Sequence, residues 1–211
     1  MVAVGLGRLI VITGTPGVGK TTISRILAGR LHWKHIDCGR LAVREGLTIR
    51  YDRTARTHLV DIDRLSRVVE NTIRGLESDV ILDGHLIPSI RGFVPSRVFV
   101  LRCHPRQLIS RLRRKGYSRN KISENISAEI LDACLGEAVK SFGLKRICEI
   151  DTTEKNSLQV TSTILEIFNR EVKCTHAHVD WISRLESEGK LQEILSYVES
   201  GTGVTAKRMV A

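Results

Sequence analysis

The sequence predicts an α/β fold in which five parallel strands form a sheet covered by helices on both faces. Three observations predict it. Leu9 to Thr13 is an unbroken run of apolar, mostly β-branched residues, the pattern of a strand buried on both sides. Four more short apolar runs follow, at 33–36, 80–83, 97–102 and 146–150, with helical periodicity between them. That alternation is the pattern of a three-layer α/β/α sandwich. Finally, the turn after the first strand reads Gly14-Thr15-Pro16-Gly17-Val18-Gly19-Lys20-Thr21. A glycine, four residues and then Gly-Lys-Thr is the Walker A pattern of P-loop NTPases.

The first helix, Thr22 to Leu31, follows that turn directly. The second strand, Trp33 to Ile36, ends in a turn at Asp37-Cys38-Gly39, and Arg40 to Glu45 forms a short helix. Gly46 to His58 is polar, rich in Arg and Thr and weakly periodic, and is read as a mobile segment. Asp61 to Leu76 places Ile62, Leu65, Val68, Val69, Ile73 and Leu76 on one helical face. Asp61 and Asp63 stand at its start, where negative charge opposes the helix dipole. The strand Val80 to Asp83 ends in a carboxylate, and Arg97 to Arg102 is the next strand. Pro105 suits the first position of a helix running to Arg114, which Gly116 breaks. Ser123 to Ser141 reads as one long helix capped by Ser123, with Ile126, Ile130, Leu131, Ala138 and Phe142 marking its inner side. Arg146 to Ile150 and Leu158 to Phe168 complete the domain, expected to span 1–170. Residues 171–211 form an extension: Val179-Asp180-Trp181 opens an amphipathic helix or hairpin interrupted near Gly189, and the end from Ser200 is expected to fray.

The net charge of +10 and a pI near 9.7 suit polyanionic partners, nucleotides first and RNA second. Arginine outnumbers lysine, which favours planar clamping of phosphates. The five cysteines are scattered without CxxC spacing, so reduced thiols and a cytoplasmic setting are expected, with no zinc site. The apolar N-terminus runs straight into the P-loop without the form of a signal peptide, and no run approaches a membrane span.

The chemistry concentrates at the carboxyl ends of the strands, where open α/β sheets bind ligands. Thr13, Asp37, Asp83 and Arg102 all lie there and are expected to converge on one crevice. Gly14, Gly17 and Gly19 let the backbone bend and aim its N–H groups at phosphates, and the following helix adds its dipole. Lys20 would reach the β- and γ-phosphates of ATP, and the Thr21 hydroxyl would ligate Mg²⁺. Asp83 ends an apolar strand about sixty residues later, the Walker B arrangement, and can share that Mg²⁺. His85, two residues on, could orient a water or an acceptor. Arg102 to Lys121 holds eight Lys or Arg and no acid; Arg111, Arg113, Arg114 and Lys115 before Gly116-Tyr117-Ser118 suit a short basic lid over a triphosphate. Arg40 and Arg44 are candidates for an acceptor phosphate.

Gly14 to Thr22, Asp83-Gly84-His85 and Arg114-Lys115-Gly116-Tyr117 with Asn125 to Ile130 resemble the adenylate kinase isoenzyme 6 family, over roughly residues 8–170. The Val-Asp-Trp extension is similar to that of archaeal members. The resemblance implies a nucleoside-monophosphate-kinase-like fold and a kinase of broad specificity for nucleoside monophosphates, AMP included, with ATPase activity. It also implies a role late in small-ribosomal-subunit maturation, through transient binding of a platform ribosomal protein, and a monomer outside that complex. Carried over by position, Gly17, Gly19, Lys20, Thr21, Thr22 and Lys115 would bind ATP, and Asp83 and His85 would form the Walker B pair. The acceptor segment would span about 36–59 and the lid about 114–124. Two positions depart from the family: Lys115 replaces an arginine before the lid Gly-Tyr, and Arg40 replaces an aspartate after Gly39. Two other readings stand beside this one. One is an assembly factor whose ATPase cycle switches a protein or RNA contact. The other is a P-loop kinase for a sugar or shikimate-like acceptor.

Overall fold

A computed structural model describes residues 7–52, 57–85, 87, 90, 92–174 and 179–202. Strands β1 (Leu9–Gly14), β2 (Lys34–Asp37), β5 (Val80–Asp83), β6 (Arg97–Arg102) and β7 (Ile147–Asp151) form one parallel sheet, ordered β2-β5-β1-β6-β7. The strand carrying the glycine-rich turn is therefore central. The β1/β5 register places Ile12 beside Asp83, so that carboxylate ends its strand next to the turn.

Side-chain alternation divides the core. Ile10, Ile12, Ile81, Phe99 and Leu101 face one layer, with α1 (Lys20–Leu31), α4 (Pro105–Arg114), α5 (Arg119–Ile130) and α7 (Ser157–Phe168). Val11, Leu82, Val98 and Val100 face the other, with α2 (Cys38–Arg44), α3 (Ile62–Arg74) and α6 (Ala133–Phe142). Each such fully buried side chain contributes about 1.5–3 kcal/mol relative to exposure. The sheet is thus fixed from both faces, and the site at its edge inherits that rigidity. The helix starts follow local chemistry. Asp61 caps α3 by accepting from Arg64 N–H at 2.9 Å, and Asn156 with Gln159 forms a capping box on α7.

Five expectations are corrected. Asp37 is not in a free turn; it caps α2, accepting from Arg40 N–H at 3.0 Å, so that helix starts at Cys38. The segment after it is an antiparallel ribbon of β3 (Thr48–Asp52) and β4 (Thr57–Val60), with Tyr51 opposite His58; residues 53–56 lie outside the described residues. Its Thr-rich, β-branched composition suits a pleated backbone, which helical periodicity could not reveal. The long helix is two. Ser118, not Ser123, caps α5, and Asp132 takes the left-handed conformation between α5 and α6 (φ 55°). Its carboxylate pairs with Arg102, a long-range contact that a non-glycine break does not announce. Cys148 and Cys174 are joined in a disulfide between β7 and the segment after α7, a pairing across 26 residues that a search for close spacing misses; Cys38, Cys103 and Cys134 are free thiols. Finally, Arg102 does not face the crevice. It is 2 % exposed and lies among Glu129, Glu149 and Asp132.

In the extension, α8 (Trp181–Ser187) and α9 (Leu191–Thr202) are separated at Gly189, as its position suggested. Residues 203–211, most of the stretch expected to fray, lie outside the described residues. Among the described residues, no helix is long and apolar enough to cross a membrane.

Candidate active site

The turn from Gly14 to Gly19 joins β1 to α1 with a backbone that only glycine adopts easily. Gly14 (φ 136°) lies so close to β6 that a Cβ would meet the Leu101 carbonyl oxygen at 2.3 Å. Gly17 (φ 96°) packs on Leu108 and Leu112 of α4, each 2.9 Å from where a Cβ would stand. Gly19 is the N-cap of α1 and brings no side chain to cap it. Thus the first N–H groups of α1 have no side-chain partner there, an arrangement suited to an anion.

Lys20 opens α1 and rests on the turn itself, donating from Nζ to the carbonyls of Gly14 (2.7 Å) and Thr15 (3.1 Å). Burial pushes its pKa down to about 8, against the raising effect of Asp83 and Glu129. A polyanion entering the turn would supply the charge that carbonyl dipoles only partly replace. Thr21 is half-buried beside it, and Thr22 is exposed toward a cleft of about 370 Å³. Gly17 and Gly19 line that cleft from the turn, Arg114 and Lys115 from the end of α4, and Thr152 and Lys155 from the loop after β7. Arg111 braces its floor, donating to the carbonyls of Val18 (3.3 Å) and Thr152 (3.0 Å). Arg113 instead stacks on Tyr197, and Arg106 faces Glu193. The basic run therefore divides its labour: Arg114 and Lys115 face the cleft, while Arg106 and Arg113 hold α9.

A second cleft, of about 580 Å³, lies across the turn, between Thr15, Pro16, His85, Lys115, Tyr117 and Lys121. Lys115 lines both clefts. His85 is exposed at the mouth; loss of hydration against the wall, then the cations of Lys20 and Lys121, push its pKa down to about 4. It is therefore neutral near pH 7 and able to accept a hydrogen bond.

Asp83 is 1 % exposed, and its Oδ2 has no hydrogen-bond partner although it faces His35 Nε2 at 3.3 Å. A buried carboxylate oxygen left without a donor fits the oxygen ligand that Mg²⁺ requires. Among the described residues, no three His, Cys, Asp or Glu side chains cluster as an all-protein metal site.

Arg40 and Arg44 stand elsewhere. With Arg25, Lys34, His35 and Asp37 they line a basin of about 490 Å³ beside β2, the edge strand. Of the basin's residues, His35 reaches Asp83, its Nε2 3.3 Å from Oδ2. Sequence reasoning missed Glu129, which accepts a hydrogen bond from the Thr15 hydroxyl. Its signal was an acid between the inward-facing Ile126 and Ile130 of α5.

Residues 10–132 match the model of a family described as "AAA domain". A protein of Thermococcus onnurineus named "Putative adenylate kinase" is 38 % identical over 174 residues, covering 82 % of this chain and 91 % of the relative. Relatives with the same name in Pyrococcus furiosus and Methanocaldococcus jannaschii are 37 % and 38 % identical, and the aligned parts cover 98 % and 93 % of their lengths. The chain belongs to this family. A gluconokinase from Sinorhizobium meliloti shares the fold, with a TM-score of 0.51 at 16 % identity, over 79 % of this chain and 94 % of the other. The family's fold is thus a P-loop α/β sandwich, and in this member the glycine-rich turn and Lys115 line two clefts, while Asp83 ends the strand beside the turn.

Proposed function

We propose that the chain transfers the γ-phosphoryl group of ATP to a nucleoside monophosphate, AMP foremost, in the manner its relatives' name describes. The observation that carries this reading is the pair of clefts meeting at the glycine-rich turn, with Lys115 lining both. One cleft takes ATP, its phosphates on the N–H groups of the turn and on Lys20. The monophosphate enters from the other side of Lys115, and Arg40 and Arg44 draw it in from the neighbouring basin. A phosphate oxygen of the acceptor attacks the γ-phosphorus, the bond to the β–γ bridging oxygen breaks, and two nucleoside diphosphates leave. Lys20 neutralises charge on the oxygens of the transferred group. Asp83 and Thr21 would hold Mg²⁺, which when bound shields the phosphate charge. The lid, expected at about 114–124, comprises the turn Lys115–Ser118 and the first half of α5, and excludes water.

ATP hydrolysis belongs to the same reading. Neutral His85 at the mouth is suited to orient a water when no acceptor is bound. His85→Ala should therefore lower hydrolysis at least as much as transfer to AMP; full activity of that variant in both assays would remove the role. The sequence resemblance adds a function in small-subunit maturation through a platform ribosomal protein, and the net charge of +10 suits RNA-bearing surroundings. Affinity for that protein measured with an ATP analogue, with ADP and without nucleotide tests it: a difference between the first two supports a switch, and identical values remove it.

A further inference from the structure

We propose that Glu129 is a positioning residue for the phosphate-binding turn, and that Trp181 of the C-terminal extension holds it in place. This rests on the reading of the turn as the ATP site. Glu129 lies near the end of α5 and is 2 % exposed. Its two carboxylate oxygens serve different neighbours. Oε1 accepts from Trp181 Nε1 at 2.9 Å, Arg102 Nε at 3.0 Å and Cys103 N–H at 3.1 Å. Oε2 accepts from the hydroxyl of Thr15, itself 1 % exposed. The carbonyl of Thr15 in turn accepts from Lys20 Nζ at 3.1 Å. A chain of polar contacts therefore runs from Trp181 through Glu129 and Thr15 to the lysine of the site.

Neutralising Arg102 does not account for Glu129. That guanidinium also pairs with Glu149 at 2.8 Å and with Asp132, so three carboxylates share one cation. Three donors on Oε1 instead lock the carboxylate so that Oε2 points at the turn. A rotation would break all three at once and leave a buried charge without its partners, a costly state. Thr15 is the first of the four residues between the turn's glycines; its side chain faces α5, and its backbone helps to seat Lys20.

The extension also holds the other end of α5. Arg119 lies over the Tyr197 ring, 3.3 Å from its centre, and donates to Ser200 Oγ at 2.6 Å. Gly201 packs so tightly on Ser123 that a Cβ there would stand 1.7 Å from the hydroxyl. Because α5 begins directly after the turn Lys115–Ser118, the extension sets both that turn and, through Trp181, the glycine-rich turn. Trp181 is 1 % exposed, with its ring against His104 and Arg102.

The chain has two tryptophans, so Trp33→Phe leaves Trp181 as the sole indole reporter. Trp33 packs on Phe168 and Arg8 and touches none of these groups. In that background, the affinity of a non-hydrolysable ATP analogue is measured by calorimetry, which needs no tryptophan, for Thr15→Ser, Thr15→Val, Trp181→Phe and the Thr15→Val/Trp181→Phe pair, with circular dichroism confirming each fold. Thr15→Ser keeps the hydroxyl and should bind within about twofold of the parent. Thr15→Val and Trp181→Phe should each weaken binding about fivefold, the scale of one lost hydrogen bond. The pair should weaken it well short of the product, about 25-fold, because both changes cut one chain. Emission from Trp181 should change on binding in the parent and stay unchanged in Thr15→Val, a readout that survives if Trp181→Phe does not fold. Parent-like binding by Thr15→Val, full multiplicativity in the pair, or an unresponsive Trp181 in the parent would overturn the inference while leaving the ATP site intact. A parent that binds no analogue at all would overturn the ATP reading itself.

Discussion

The cleft at the glycine-rich turn and the basin at α2 both carry positive charge, but they are built differently. At the turn, Lys20 sits on two carbonyls and Thr15 on a buried carboxylate, and in the cleft beside it Arg111 sits on two carbonyls more. In the basin, Arg40 and Arg44 are 75 % and 70 % exposed, with ion-pair partners on their own helix or just beyond it, Asp37 and Glu45. Surface pairs of that kind are worth about 0–1 kcal/mol, whereas groups fixed in a water-poor cleft act with far greater electrostatic effect. Pre-organisation therefore belongs to the turn and its cleft, and the α2 basin is left to adapt to whatever enters it.

Substitutions should sort along that contrast. Lys20→Ala should lower turnover by about 10³-fold while the protein stays folded, since the ammonium supports no core packing. Thermal unfolding and steady-state assays check this together, and near-parent turnover would place the chemistry elsewhere. Asp83→Asn should lower kcat about 100-fold and change KM for ATP only a few-fold, because the turn supplies most of the phosphate contacts. A rise in KM at constant kcat would make Asp83 a binding residue only. Lys115→Ala should raise KM for ATP and for the monophosphate together, each about tenfold, as expected of a cation lining both clefts. Arg40→Ala and Arg44→Ala should have the smallest effects, about threefold on acceptor KM and none on ATP. Effects on ATP alone would reverse the assignment of the two sides.

The depressed pKa of Lys20 adds a pH dependence with a definite sign. In the empty protein the ammonium deprotonates near pH 8, whereas bound phosphates favour its charged form. Nucleotide binding should then take up a proton above that pH. Affinity for an ATP analogue should be flat from pH 6 to 7 and fall as pH rises through about 8. Lys20→Arg should keep its affinity to higher pH, because the guanidinium stays charged.

The same contrast explains what the sequence could convey. The strand, turn and helix around Gly14 to Thr21 were legible because they are contiguous in the sequence. Asp83 was legible because a parallel sheet puts a strand-end carboxylate beside the strand that carries the turn. Glu129 and Arg102 were not, since their partners lie 26 to 114 residues away and only the tertiary fold joins them. The break at Asp132 was hidden for the same reason: its cause is a contact with Arg102 rather than a glycine or proline. The β3–β4 ribbon was misread because Thr and Arg give no helical period, and alternation over four or five residues is a weak signal. Trp181 was visible as part of a motif, but its role depends on a hydrogen bond to a helix some fifty residues earlier.

The most direct test is the identity of the phosphoryl acceptor. Purified protein with Mg²⁺ and ATP is offered AMP, other nucleoside monophosphates, gluconate or water, and the products are separated by ion-exchange chromatography. The account predicts that ATP and AMP yield two ADP per turnover, faster than hydrolysis, and that Lys20→Ala abolishes this yield. Phosphorylated gluconate with AMP left untouched would contradict it and assign the crevice to a non-nucleotide acceptor.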